Sequence, residues 1–157
     1  MVIFALDERR YALALSSVER VVRVVDIIPL PGTPEVVLGV INVRGDIVPV
    51  YDLRKRFRLP SRELDLSDQL LIARTSKRRV ALVVDSVSGV LELRGREITA
   101  ADKILPGMEY VRGVVKLQND LVIIHDLDQF LSPEEETTLD ETLKTLPEAD
   151  DQMMKDG

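Results

Sequence analysis

Gly39-Val40-Ile41-Asn42-Val43-Arg44-Gly45-Asp46-Ile47-Val48-Pro49-Val50-Tyr51-Asp52 is the stretch from which the rest of the chain can be read. Two β-branched runs flank a short polar tip, Arg44-Gly45-Asp46, which is the pattern of a β-hairpin. Gly45 supplies positive φ at the turn without steric penalty. Asp52 ends the second strand and is placed to cap a short helix over residues 53–57.

The same pattern returns 74 positions later, where Gly113 matches Gly39, Asp120 matches Asp46, and Asp126-Leu127 matches Asp52-Leu53. Asn119, the next-best residue for positive φ, stands in for Gly45. A second match runs at an offset of 69: residues 8–13 align with 77–82, Ser17-Val18 with Ser86-Val87, and Val21 with Val90. The offset grows between the blocks, so the second copy carries an insertion near residues 100–108. Residues 1–131 therefore read as two diverged copies of one unit.

Composition narrows the possibilities. Apolar residues make up 45% of the 157 residues but aromatics only 4%, so the core must be built mostly of Val, Leu and Ile. Cysteine is absent, which excludes disulfides, thiolate metal sites and a Cys nucleophile and suits a reducing cytoplasm. No signal pattern and no apolar run long enough to span a bilayer is visible, so no membrane insertion is expected. Residues 132–157 hold nine acids and two bases, so of the formal charge of −6 this segment carries −7 and the body +1. A near-neutral body and an acidic tail do not suit a nucleic-acid partner.

Each copy reads as five short strands, at about 2–6, 10–15, 20–25, 36–43 and 46–51, then 69–74, 79–84, 89–93, 110–117 and 120–125. Ser16-Ser17-Val18-Glu19 has the form of a capping box before a brief helical turn. Five antiparallel strands per unit suggest a small closed barrel. The expected fold is all-β: two small five-stranded barrels as a pseudo-duplicated unit, with a short C-terminal helix. The first barrel is placed at about residues 10–79 and the second at about 80–131 plus the start of the first strand. Ser132-Pro133-Glu134-Glu135 begins a helix whose Leu139, Leu143 and Leu146 share one face, and residues 148–157 lack a folding pattern.

At the hairpin the chain resembles the CheW-like family of chemotaxis coupling proteins. That family's block usually reads Gly-Val-Ile-Asn-Leu-Arg-Gly, two variable residues, Pro and then Asp-Leu. Phe4 to Leu6, Tyr11, Val18, Val83 to Val87, and Gly113 with Leu121 to Leu127 extend the likeness over residues 2–131. The resemblance implies two side-by-side five-stranded barrels sharing the first strand, and a role as a standalone adaptor without catalysis. It would bridge the cytoplasmic tip of chemoreceptors to the regulatory domain of a CheA-type histidine kinase, in the cytoplasm at receptor arrays beneath the inner membrane. Carried over by position, Val18, Gly39 and Arg44 would face the receptor. Val43 replaces the usual Leu, and Arg20 stands where the family often has a Glu able to pair with the motif arginine.

Weighed from the residues, Gly39, Asp46 and Asp52 recur in the second copy as Gly113, Asp120 and Asp126, which points to fold geometry. Gly45, Asp52, Gly113 and Asp126 are accordingly expected as turn and cap residues. Asn42 and Arg44 break the repeat, being Lys116 and Gln118 in the second copy; on residues alone Arg44 reads as a solvated tip and Val18, matched by Val87, as core, and it is the resemblance that makes Val18, Gly39, Asn42 and Arg44 candidates for receptor binding. Arg54-Lys55-Arg56 and Arg58 read as a solvated basic face. His125, aligned with Tyr51, reads as a half-buried strand residue. No phosphate-cradling loop, metal-ligand spacing or nucleophile–base pair is present, so no catalytic residue, cofactor or metal is expected. The alternatives are a CheW-like scaffold in a chemosensory pathway unrelated to motility, an unrecognised small-barrel enzyme, and an RNA-binding barrel.

Overall fold

The computed structural model describes residues 1–92, 98–100, 111–117 and 120–146. Eleven strands appear in these segments: β1 (Val2–Leu6), β2 (Arg9–Leu13), β3 (Val18–Arg23), β4 (Val37–Val43), β5 (Asp46–Tyr51), β6 (Gln69–Arg74), β7 (Arg79–Val84), β8 (Ser86–Val90), β9 (Ile98–Ala100), β10 (Val111–Leu117) and β11 (Asp120–His125). Two helices join them, α1 (Leu53–Arg56) and α2 (Pro133–Lys144), with 3-10 turns at Leu15–Ser17 and Leu127–Gln129. The strands coincide with the Val- and Ile-rich runs, whose branched side chains suit a pleated surface.

The strands form two sheets, ordered β8-β1-β2-β11-β10-β9 and β3-β6-β7-β5-β4. Apart from β9, the two orders are the same under the repeat. Gly39 pairs with Val50 and Gly113 with Ile124, and each hairpin has a register irregularity just before its glycine. Val2 pairs with Leu13 as Leu71 pairs with Leu82, and Phe4 with Val87 as Ala73 with Val18. Asn119 lies outside the described residues, so the match of the two tips does not extend to it.

The copies are exchanged. β5 pairs in parallel with β7 through Val50–Ala81, and β11 pairs in parallel with β2 through Ile124–Ala12. Each sheet thus takes its leading strand pair from one copy and its hairpin from the other. A boundary between units near residues 79–80 does not divide the sheets: β7 is internal to the five-stranded sheet, and β1 and β2 both lie in the six-stranded one.

Nor are the barrels closed by hydrogen bonds. β3 and β4 are the edges of the five-stranded sheet, and Val22, Val24 and Ile27 meet Leu38, Ile41 and Val43 around Val48, Val50, Leu70, Ile72 and Ala81. Side chains close this seam. Between the two edges the chain makes one bridge among the described residues, Ile28 to Val40. Pro29, Pro31 and Pro34 follow and have no N–H to extend a ladder. The expected capping box is not formed either. The 3-10 turn starts two residues earlier, with Ala14 rather than Ser16 as its N-cap and no side-chain cap, and Val18 and Glu19 are already strand.

The largest core lies between the sheets. It takes Phe4, Leu6 and Tyr11 from one, Tyr51, Leu71 and Leu82 from the other, and Phe130, Leu131 and Leu139 from the C-terminal segment. Few aromatics are available, and among the described residues they gather here: Tyr51 stacks on Phe130 at 5.1 Å and Tyr11 on Phe57 at 4.9 Å. Ser132 caps α2, with its hydroxyl accepting from Glu135 N and the Glu135 carboxylate accepting from Ser132 N. Leu139 is fully buried, with Leu143 packed against the same core. Arg56 reaches Glu135 at 2.6 Å, and Arg78 reaches Glu136 at 2.5 Å and also pairs with Asp140. These contacts hold the helix over the inter-sheet core.

Candidate functional site

The β4–β5 hairpin ends in a two-residue loop, since Val43 pairs with Asp46. Arg44 has φ 51° and Gly45 φ 91°, the signs a type I′ turn needs at both central positions. Positive φ suits Gly45 and strains Arg44, a conformation that sequence pattern does not anticipate for arginine. Asn42 Oδ1 accepts from Gly45 N at 2.7 Å and ties the tip back to its own strand. The Arg44 side chain is exposed.

Gly39 is buried in β4, beneath Ile28. Ile28 N donates to Val40 O at 2.8 Å and Val40 N to Ile28 O at 2.9 Å. A Cβ on Gly39 would stand 2.3 Å from the Ile28 carbonyl oxygen, and its φ is +157°. Geometry alone therefore demands glycine here. Gly113 holds the matching register position in β10. Asp52 caps α1 by accepting from Lys55 N at 3.3 Å, and Asp126 caps its own turn by accepting from Asp128 N at 3.1 Å.

Val18 opens β3, at the opposite edge of the same sheet. It is half-buried against the inter-sheet core. Two carboxylates flank the candidate residues, and one guanidinium joins them: Arg79 Nε lies 3.0 Å from Glu19 Oε2, and Arg79 Nη1 lies 2.8 Å from Asp46 Oδ2. Arg74 approaches Glu19 at 3.8 Å. Glu19 follows Val18, and Asp46 follows the tip. The hairpin thus gathers Gly39, Asn42, Arg44 and Gly45, while Val18 lies on the opposite edge strand, next to the Glu19 that Arg79 links to Asp46. Arg79 was not singled out by sequence pattern. Its only trace was the alignment of the basic triplet 77–79 with residues 8–10.

Of the basic run after the hairpin, Lys55 and Arg58 are solvated but Arg54 and Arg56 are not. Arg54 is buried and pairs with Asp7 at 2.7 Å and Asp85 at 2.7 Å. Arg56 lies over the Phe130 ring at 5.5 Å. Asp85 also accepts from Asp7 N at 2.8 Å and from Arg62 at 2.6 Å. Burial pushes the Asp85 carboxyl up, but the Asp7 N–H and the two guanidiniums outweigh it and hold its pKa below the usual aspartate value. The repeat has a counterpart here: Ser76 N donates to Asp128 Oδ1 at 2.6 Å, as Asp7 meets Arg54 in the other copy. Each leading hairpin tip is thereby pinned to the short helix that follows the other hairpin. His125 is buried beside Phe57 and Tyr11, at 4.3 Å and 5.3 Å between ring centroids, as an aromatic core member.

A family model described as CheW-like domain matches residues 1–135. A chemotaxis protein CheW of Thermotoga maritima is 32% identical over 138 residues, covering 88% of this chain and 89% of that protein. Another, of Klebsiella aerogenes, is 30% identical over 145 residues, covering 91% and 87%. The crystal structure of scaffolding protein TtCheW from Thermoanaerobacter tengcongensis matches with a TM-score of 0.78 at 31% identity, covering 85% of this chain and 92% of that one. With the repeated hairpin, the paired sheets and the motif residues all in place, the chain belongs to the CheW-like family.

Proposed function

We propose that this protein is a chemotaxis adaptor that joins the cytoplasmic tip of chemoreceptors to the regulatory domain of a CheA-type histidine kinase, working in the cytoplasm at receptor arrays. Its relatives are named as chemotaxis proteins and, in one case, as a scaffold. The observation that carries the reading is the hairpin tip. Arg44 is exposed on a pinned, strained turn, while the carboxylates on either side of the face, Glu19 and Asp46, are engaged by Arg79. A guanidinium so held suits a carboxylate or helix-end carbonyls on a receptor helix. We assign Val18 and Asn42 to the same docking face on the strength of the family resemblance. Gly39 serves it by letting the exposed Ile28 lie against β4. The test is binding of the purified chain to a receptor-tip fragment and to the kinase regulatory domain, separately and together. Binding to each, with a ternary complex, is the expected outcome. Failure to bind either sinks the reading.

A further inference from the structure

We infer that Arg79 is a positioning residue for the partner-binding face: it sets the spacing between the β3 edge and the β4–β5 tip. This rests on the reading of Val18 and Arg44 as docking residues and adds to it a residue outside the hairpin. The strand order places β3 and β4 at opposite edges, with β6, β7 and β5 between them, so no backbone ladder joins Val18 to Arg44 directly. Arg79 sits at the start of β7, near the middle of the sheet. Its Nε lies against Glu19 on one side and its Nη1 against Asp46 on the other. Among the described residues, no other side chain pairs with carboxylates on both β3 and β5. The Arg79 side chain is 28% exposed, against 68% for Asp46. Its Nε is buried and makes no hydrogen bond, so it meets Glu19 by charge alone, while Nη1 donates to Asp46.

Energy is not the main consequence. Exposed ion pairs add little to stability, and Asp46 is largely solvated. Geometry is the consequence: a seam closed by side chains can open or slip more easily than a hydrogen-bonded one, and the bridge limits that motion. Engaging Glu19 and Asp46 in this way also keeps both carboxylates away from Arg44, whose guanidinium is left to meet a partner. Holding a binding surface in its bound shape raises affinity without adding contacts.

The test measures affinity for a receptor-tip fragment, with melting temperature recorded on the same samples. Arg79→Ala is expected to weaken binding about tenfold, and Arg79→Lys, a single point charge, to restore it only partly. Glu19→Gln and Asp46→Asn each remove one arm. Each should weaken binding about threefold, and neither should weaken it further in the Arg79→Ala background. Amide exchange at Arg44 and Gly45 should quicken in Arg79→Ala. If Arg79→Ala melts lower but binds as wild type, Arg79 is merely structural and the inference fails. If the Glu19 and Asp46 variants weaken binding additively with Arg79→Ala, the residues act independently and the inference also fails. Loss of binding in Arg44→Asn with no loss in Arg79→Ala overturns this inference alone; no loss in either overturns the docking face itself.

Discussion

Gly39 and the carbonyl of Ile28 approach so closely that no side chain fits between them, since a Cβ would stand 2.3 Å from that oxygen. The conflicting atoms are backbone and are tied to Val40 by two hydrogen bonds, so they cannot move without breaking the bridge. Gly39→Ala should lower unfolding free energy by about 2–4 kcal/mol, combining backbone strain with overpacking. Urea denaturation measures it. A near-neutral Gly39→Ala would show that the Ile28 segment yields. Any loss of receptor binding in this variant is expected to come with that loss of stability.

Arg44 offers the opposite separation of fold from recognition. Asn-Gly is the favoured pair for a type I′ turn, so Arg44→Asn relieves the strain of arginine at φ 51°. The variant should be as stable as wild type or more so, by about 0.5 kcal/mol. It should bind a receptor-tip fragment more weakly by about 1–3 kcal/mol, the range of an interface hot spot. Arg44→Lys should recover part of that affinity. Binding to the kinase regulatory domain should persist, and equal loss for both partners would refute the assignment.

Asp85 makes stability depend on acid. Its folded pKa lies below the ordinary aspartate value, so its contribution is complete above that value and is lost as pH falls through the folded one. Asp85→Asn should cost about 2 kcal/mol at pH 7, because Arg54 and Arg62 lose a charged acceptor. The gap between variant and wild type should close as pH drops below about 4. Urea midpoints across pH 3–7 test this, and a gap independent of pH would contradict it.

The C-terminal helix is part of the fold. Leu139→Ala should destabilise by about 2–4 kcal/mol, through lost burial and the cavity left between the sheets. A chain ending at Leu146 keeps every contact described for the helix and should melt close to wild type. A chain ending at Ser132 should lose several degrees, by differential scanning fluorimetry.

Local features were legible from residue types alone. The two hairpins, the caps at Asp52 and Asp126, and Ser132-Pro133 as a helix start each depend on neighbours in the chain. The matching offsets also identified which strands are equivalent. They did not say which copy a strand pairs with, because Val50–Ala81 and Ile124–Ala12 satisfy the same repeat as the unexchanged pairing. Arg54 looked solvated because one turn of helix does not reveal which face is covered. Arg79 was missed because its partners lie 60 and 33 positions away, at Glu19 and Asp46. The open seam follows from Pro29, Pro31 and Pro34, which offer no N–H to carry the Ile28–Val40 bridge onward.

The exchanged pairing of β2 with β11 has a consequence during synthesis. Ala12 emerges from the ribosome early, but its partner Ile124 follows more than a hundred residues later. At ordinary translation rates the β1–β2 pair waits roughly 5–20 s for its neighbour. Through that interval the open side of β2 is a template for another strand. Two nascent chains on one messenger present each other with the same hairpin that each awaits from itself. Reciprocal exchange between them would satisfy every native pairing and yield an intertwined dimer, so the yield of monomer should depend on how quickly the C-terminal hairpin arrives.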